Sequence, residues 1–175
     1  NYLITGKSGA GKTTLINALK ELPDAVFCAP TGAAARLIGG QTVHRLFQIP
    51  PYPVIDCTVL TPLGRLKRRL LKQVKTVVID EISMLRGDVL KAVDIRLRQC
   101  AGSLEESQKP FGGKSMVFAG DFFQLPPVIS GISVGDPDIG TFHEQIGVYA
   151  FQTDSWKCAN VKPIYLKKIM RQSDD

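Results

Sequence analysis

Apolar residues along this chain fall into short unbroken runs separated by helical spacings. "YLIT" (2–5), "AVFCA" (25–29), "KTVVID" (75–80), "KSMVFAG" (114–120) and "VKPIYL" (161–166) read as five strands. Between them, "GKSGAGKTTLINALKEL" reads as a loop and helix, and "GAAARLIG" as a short helix. Over 88–100, Val89, Val93 and Leu97 recur every fourth residue, on one face of an amphipathic helix. Strands without polar alternation are buried on both faces. The pattern therefore predicts an α/β fold with a mostly parallel central sheet flanked by helices. In such sheets ligands sit beyond the carboxyl ends of the strands. Two stretches break the alternation. Residues 48–62 ("QIPPYPVIDCTVLTP") hold four prolines, and residues 130–147 are rich in Gly and Ser.

With 175 residues and 44% apolar content, the chain fits one domain with a full core. It opens without Met on "NYLIT" and stops at "RQSDD", so both ends read as cut from a longer protein. No apolar stretch approaches the ~20 residues of a membrane helix, and no signal peptide is visible. A membrane partner is not expected. Net charge is +6, a modest lean toward polyanions. Cys28, Cys57, Cys100 and Cys158 are scattered without a C-x-x-C pair, and read as free intracellular thiols, most of them packing residues.

Chemistry enters at Gly6-Lys7-Ser8-Gly9-Ala10-Gly11-Lys12-Thr13, which matches G-x-x-x-x-G-K-[ST] between a strand and a helix. Glycines let the backbone wrap phosphates, and the helix start supplies N–H groups. Gly6, Ser8, Gly9, Ala10, Gly11, Lys12, Thr13 and Thr14 are the expected nucleotide contacts. Lys12 would bridge the β- and γ-phosphates of ATP, and the Thr13 hydroxyl would hold Mg²⁺. A dinucleotide loop is disfavoured, because the third glycine of G-x-G-x-x-G is missing. "TVVIDEISML" places Asp80 and Glu81 at a strand end, where an acid pair is costly unless it meets a cation. Asp80 fits a Mg²⁺ ligand through water. Glu81 fits the residue that orients or deprotonates the attacking water, which argues for hydrolysis.

Four further stretches narrow the choice: "APTGAAARLIGGQTVHRLF" (29–47), "IDEISMLRGDVL" (79–90), "KPFGGKSMVFAGDFFQLPPV" (109–128) and "LKKIMRQSD" (166–174). With the phosphate loop they closely resemble the PIF family of superfamily 1 DNA helicases, which are themselves similar to RecD-type enzymes. The resemblance implies a RecA-like first motor domain that hydrolyses ATP while moving 5′-to-3′ on single-stranded DNA. It implies DNA-backbone contacts at Pro30, Thr31, Gly32, Thr42 and His44. It implies a γ-phosphate-sensing glutamine at Gln124 and a phosphate-reaching arginine at Arg171. It also implies forked or structured DNA as partner, a second RecA-like domain in the same polypeptide, and a monomer. Roles in replication, repair, recombination or telomere upkeep follow, in nucleus, mitochondrion or bacterial cytoplasm. A small wedge-like insertion is implied at 48–72. The first domain alone is expected to unwind little or nothing.

Several positions carry a second reading. His44 alone also fits a hydrogen-bonded core histidine, and Asp121 either a partner of Mg²⁺-bound water or of a basic side chain, or a turn cap. Phe122, Phe123 and Leu125 read as packing residues, with base-stacking as the alternative. Arg65, Lys67, Arg68, Arg69, Lys72 and Lys75 form an acid-free run with Leu63, Leu66 and Leu70 at helical spacing. That run fits a solvated helix with an apolar face, or a phosphate-contacting surface. At the level of function, a small-substrate P-loop kinase and a non-catalytic DNA-binding module are the alternatives. The kinase would lack an arginine-rich lid and leave "GDFFQLPPV" unexplained.

Overall fold

The computed structural model describes residues 1–54, 60–128 and 147–167. Among them the strands are β1 (Tyr2–Thr5), β2 (Ala25–Ala29), β3 (Gln41–Thr42), β4 (Thr76–Ile79), β5 (Ser115–Ala119) and β6 (Lys162–Tyr165). They form one sheet in the order β3-β2-β4-β5-β1-β6, and every pairing is parallel. Parallel pairing sends each chain crossing over a face of the sheet, and the helices cover both faces. On β4 the side chains split accordingly. Val77 and Ile79 join the cluster of Phe47, Val93, Leu97, Phe111 and Phe118, whereas Val78 joins Ile4, Ile16, Ala35 and Ile38 on the other side. Burying one such side chain contributes about 1.5–3 kcal/mol.

The helices are α1 (Lys12–Ala18), α2 (Gly32–Leu37), α3 (Val43–Phe47), α4 (Arg65–Gln73), α5 (Gly87–Gln99), α6 (Leu104–Gln108) and α7 (Asp154–Cys158). The amphipathic pattern is borne out in α5, with Val89, Val93 and Leu97 buried. β3 is an addition. Its two residues pair with Cys28 and Ala29, too short a run for any hydrophobic period to show.

The expected apolar face of α4 is corrected in part: Leu63, just ahead of the helix, is half-buried and packs against the core as expected, but Leu66 and Leu70 do not. Leu71 is fully buried, while Leu66 is 83% and Leu70 40% exposed. Gly64, at the mouth of α4, donates its N–H to Gln48 Oε1 at 2.9 Å. Arg65, Arg68, Arg69 and Lys72 are exposed, and Lys67 donates to Gln41 Oε1 at 3.2 Å.

Of the proline-rich stretch, 48–54 and 60–62 lie within the described residues. Both stems are tied to α5. Arg96, 1% exposed, donates to the carbonyls of Phe47 (3.1 Å), Gln48 (3.0 Å) and Thr61 (2.7 Å). The 130–147 stretch, apart from Gly147, lies outside the described residues, as do Arg171 and Cys57. Cys28, Cys100 and Cys158 are free thiols, the first two buried.

Candidate active site

Three loops leave the carboxyl ends of β1, β4 and β5, which are neighbours in the sheet. The first is the phosphate loop. Gly6 turns at φ 154, where an added Cβ would lie 2.6 Å from the Leu166 carbonyl oxygen. Gly9 (φ 78) and Gly11 (φ 90) adopt left-handed backbone that L side chains disfavour. The Lys12 ammonium donates to the carbonyls of Gly6 (2.7 Å) and Lys7 (3.2 Å), which hold it at the mouth of the loop. Among the described residues no side chain caps the first turn of α1. Ala10 differs from its neighbours: its methyl is buried and its N–H is spent on the Lys7 carbonyl.

The second loop carries the acids. Asp80 is 8% exposed, and its Oδ1 accepts the Glu81 N–H at 2.9 Å. Burial pushes the Asp80 carboxyl above its ordinary range, against the Glu81 hydrogen bond and the Lys12 charge. Glu81 is pushed up by burial and then by the Asp80 charge, while Lys12 pulls it down and Asp121 adds to the rise. Its backbone sits at φ 51, unusual for a residue with a side chain. Two crowded acids that resist ionisation are suited to a divalent cation, which would favour both charges. No group of three or more His, Cys, Asp or Glu among the described residues could hold a metal alone. A hydroxyl and one carboxylate, Thr13 and Asp80, suit Mg²⁺, which keeps waters and takes phosphate oxygens as further ligands. The residues present fit that ion.

The third loop follows β5. Gly120 turns at φ 153, and an added Cβ would meet the Ile82 nitrogen at 3.0 Å and Ile82 Cγ2 at 3.1 Å. Glycine lets this loop lie against the acid loop. Asp121 resolves as a turn former with a second task. Its Oδ1 accepts the Phe123 N–H (3.1 Å), and its Oδ2 accepts from the Gln124 side-chain amide (3.2 Å). Phe122 packs edge-on against Phe151 (4.9 Å), Trp156 (6.0 Å) and Tyr149 (6.4 Å). The packing reading fails for its neighbours: Phe123 is 101% and Leu125 67% exposed. Side chains on a tight turn cannot all reach the core, and Phe122 takes the inward position.

The loops converge on a cavity of about 360 Å³ lined by Ser8, Gly9, Gly11, Lys12, Thr13, Thr14, Glu81 and Gln124. Asp80 stands behind Glu81, and Gly6 and Ala10 shape the loop without lining the cavity.

The five residues assigned to DNA gather at the ends of β2 and β3, where Ala29 pairs with Thr42. Thr31 caps α2 by accepting the Ala34 N–H, and Thr42 caps α3 by accepting the Arg45 N–H, both at 3.2 Å. His44 is half-buried, with Nδ1 3.3 Å from the Ile49 carbonyl oxygen. A carbonyl only accepts, so Nδ1 is the donor in this bond. Pro30, Thr31 and His44 line a second cavity of about 190 Å³ with Pro51, Met84, Leu85, Arg86, Val89 and Val128. Gly32 is exposed, with nothing within 4 Å of an added Cβ.

A phosphate loop, an acid pair and a glutamine set side by side by β1, β4 and β5 are the arrangement of a RecA-like P-loop domain. A family model described as PIF1-like helicase matches residues 1–175, and the chain belongs to that family. It is 34% identical over 179 residues to the human ATP-dependent DNA helicase PIF1, covering 99% of this chain and 25% of that protein. With the Saccharomyces cerevisiae PIF1 helicase it shares 32% identity over 185 residues, 100% of this chain and 20% of the other. The Bacteroides Pif1 helicase in complex with ADP-AlF3 and ssDNA superposes with a TM-score of 0.86 at 37% identity, over 99% of this chain and 39% of that one. The chain thus spans a fifth to a quarter of the length of these curated relatives.

Proposed function

We propose that this chain is the first motor domain of an ATP-dependent DNA helicase that moves 5′-to-3′ on single-stranded DNA and separates forked duplex. The observation that carries the reading is the single cavity onto which Lys12, Thr13, Glu81 and Gln124 all open. Relatives named ATP-dependent DNA helicases support it, as does a Bacteroides neighbour bound to ADP-AlF3 and ssDNA.

The chemistry runs through the chain's own groups. Lys12 exchanges the Gly6 and Lys7 carbonyls for β- and γ-phosphate oxygens of ATP, trading neutral acceptors for charged ones. Gly9, Gly11, Ser8 and the start of α1 cradle the phosphates, with Thr14 at the cavity wall. Thr13 and Asp80 would hold Mg²⁺, which neutralises phosphate charge when bound. Glu81 orients the attacking water and takes its proton. Gln124, steadied by Asp121, reads whether the γ-phosphate is present. Arg171 offsets charge developing on the transferred group. Pro30, Thr31, Gly32, Thr42 and His44 form the DNA track at the neighbouring strand ends. Residues 48–72 serve as the small wedge-like insertion. A second RecA-like domain of the same polypeptide closes the nucleotide site, and the protein works as a monomer inside the cell, in nucleus, mitochondrion or bacterial cytoplasm according to its host.

The test uses the full-length polypeptide. Single-stranded DNA should stimulate its ATP turnover, and Lys12→Ala should lower that turnover by about a hundredfold or more. A duplex with a 5′ tail should be unwound and one with only a 3′ tail should not. Turnover indifferent to DNA, or to the loss of Lys12, would refute the motor reading.

A further inference from the structure

Arg86 and Asp88 form a buried pair that the proposed chemistry does not use. Arg86 Nε and one terminal nitrogen each donate to Asp88 at 2.9 Å, and the pair is 7% and 0% exposed at its side chains. The guanidinium also donates to the carbonyls of Pro51 (3.2 Å) and Tyr52 (3.1 Å). Asp88 Oδ2 accepts the Val54 N–H at 2.8 Å. Two side chains at the start of α5 thereby fasten the first stem of the proline-rich stretch.

Both nucleotide-facing loops lead to this pair. On the acid side, Glu81 is separated from Arg86 by the buried single turn Ile82–Met84, closed by Met84 N–H to the Glu81 carbonyl and Leu85 N–H to the Ile82 carbonyl. On the glutamine side, Phe122 packs against Tyr149, and Tyr149 bridges Arg86 in antiparallel fashion. Gly87 permits that approach, since an added Cβ would lie 2.4 Å from the Gly147 carbonyl oxygen. The linking turn is also under strain. Glu81 holds left-handed backbone at φ 51, a conformation that residues with a side chain rarely adopt. A strained turn directly after a functional loop is a place where a second arrangement is energetically close.

We infer that Arg86 and Asp88 are positioning residues that transmit the nucleotide state of the acid and glutamine loops to the stem at 51–54. Duplex separation depends on the pair, and ATP hydrolysis itself does not. The inference rests on the motor reading above, and its test separates the two. In the full-length wild type, Mg²⁺ with a non-hydrolysable ATP analogue should change amide exchange at residues 51–54, Val54 above all, by about threefold or more. A stem that is only a structural strut would exchange equally with and without nucleotide, and that result overturns the inference. In Asp88→Asn, DNA-stimulated turnover should stay within about twofold of wild type while base pairs unwound per ATP fall about tenfold. Turnover and unwinding falling together, or neither falling, overturns it as well. Should Asp88→Asn fail a thermal-melt check of folding, the wild-type exchange decides, because it needs no substitution. Absence of DNA-stimulated turnover in the wild type would count against the motor reading, leaving the exchange result to judge the linkage.

Discussion

Gln124 does not stand free in the nucleotide cavity: the Asp121 carboxylate holds its amide at 3.2 Å. The held amide keeps its oxygen as an acceptor and retains an N–H, so it can register a phosphate or a water. Gln124→Ala should therefore leave nucleotide affinity within about threefold while cutting DNA stimulation of turnover by about tenfold. Nucleotide titration beside a DNA-stimulated ATPase assay checks this, and equal losses in both would remove the relay. Asp80 poses a different trade. Burial raises its pKa, so its charge destabilises the nucleotide-free fold above that pKa and is relieved as pH falls through it. Asp80→Asn keeps the oxygen that accepts the Glu81 N–H and removes the charge. Its nucleotide-free melting temperature at neutral pH should match or exceed wild type. Its Mg²⁺-dependent turnover should be lost. Asp121 was legible from sequence as a candidate turn cap, which it is, but not as the partner of Gln124. Its hold on Gln124 depends on the turn it builds, which no spacing encodes.

At the scale of elements, α4 separates pattern from placement. Leu63, Leu66, Leu70 and Leu71 allow more than one helical stripe, and spacing alone does not say which stripe meets the core. Leu71, fully buried against the α5 side of the sheet, does so. Leu71→Ala should cost about 2–5 kcal/mol in denaturant unfolding, whereas Leu66→Ala, at an exposed position, should stay within about 0.5 kcal/mol. Gly120 is the reverse case, where local sequence was sufficient. A glycine directly after a buried strand lets the backbone turn without a side chain in the way, and Ile82 supplies the obstruction. Gly120→Ala should destabilise the fold and push the glutamine loop off the acid loop, lowering turnover together with melting temperature.

On the scale of the whole molecule, the basic excess gathers where the chain leaves it unpaired. Among the described residues no ion pair involves Arg65, Lys67, Arg68, Arg69 or Lys72. If α4 tracks DNA phosphates, replacing Arg65 and Arg69 with alanine in the full-length protein should flatten the salt dependence of DNA binding by about one unit for each phosphate no longer neutralised. An unchanged slope would assign α4 to a plain solvated surface.

What the sequence by itself determined is local chemistry: the apolar runs of five strands, the glycines that shape the phosphate loop, and the acids at the end of β4. Each depends on near neighbours, whose spacing and backbone preferences are written directly in the chain. Tertiary structure decided which of these meet. The order β4-β5-β1 sets Glu81, the glutamine and the phosphate loop around one cavity. It also pairs Arg86 with carbonyls 34 and 35 positions away and leaves Phe123 in solvent while Phe122 is packed. Contacts between residues far apart in sequence are selected by the packing of the whole sheet, and no local pattern carries them.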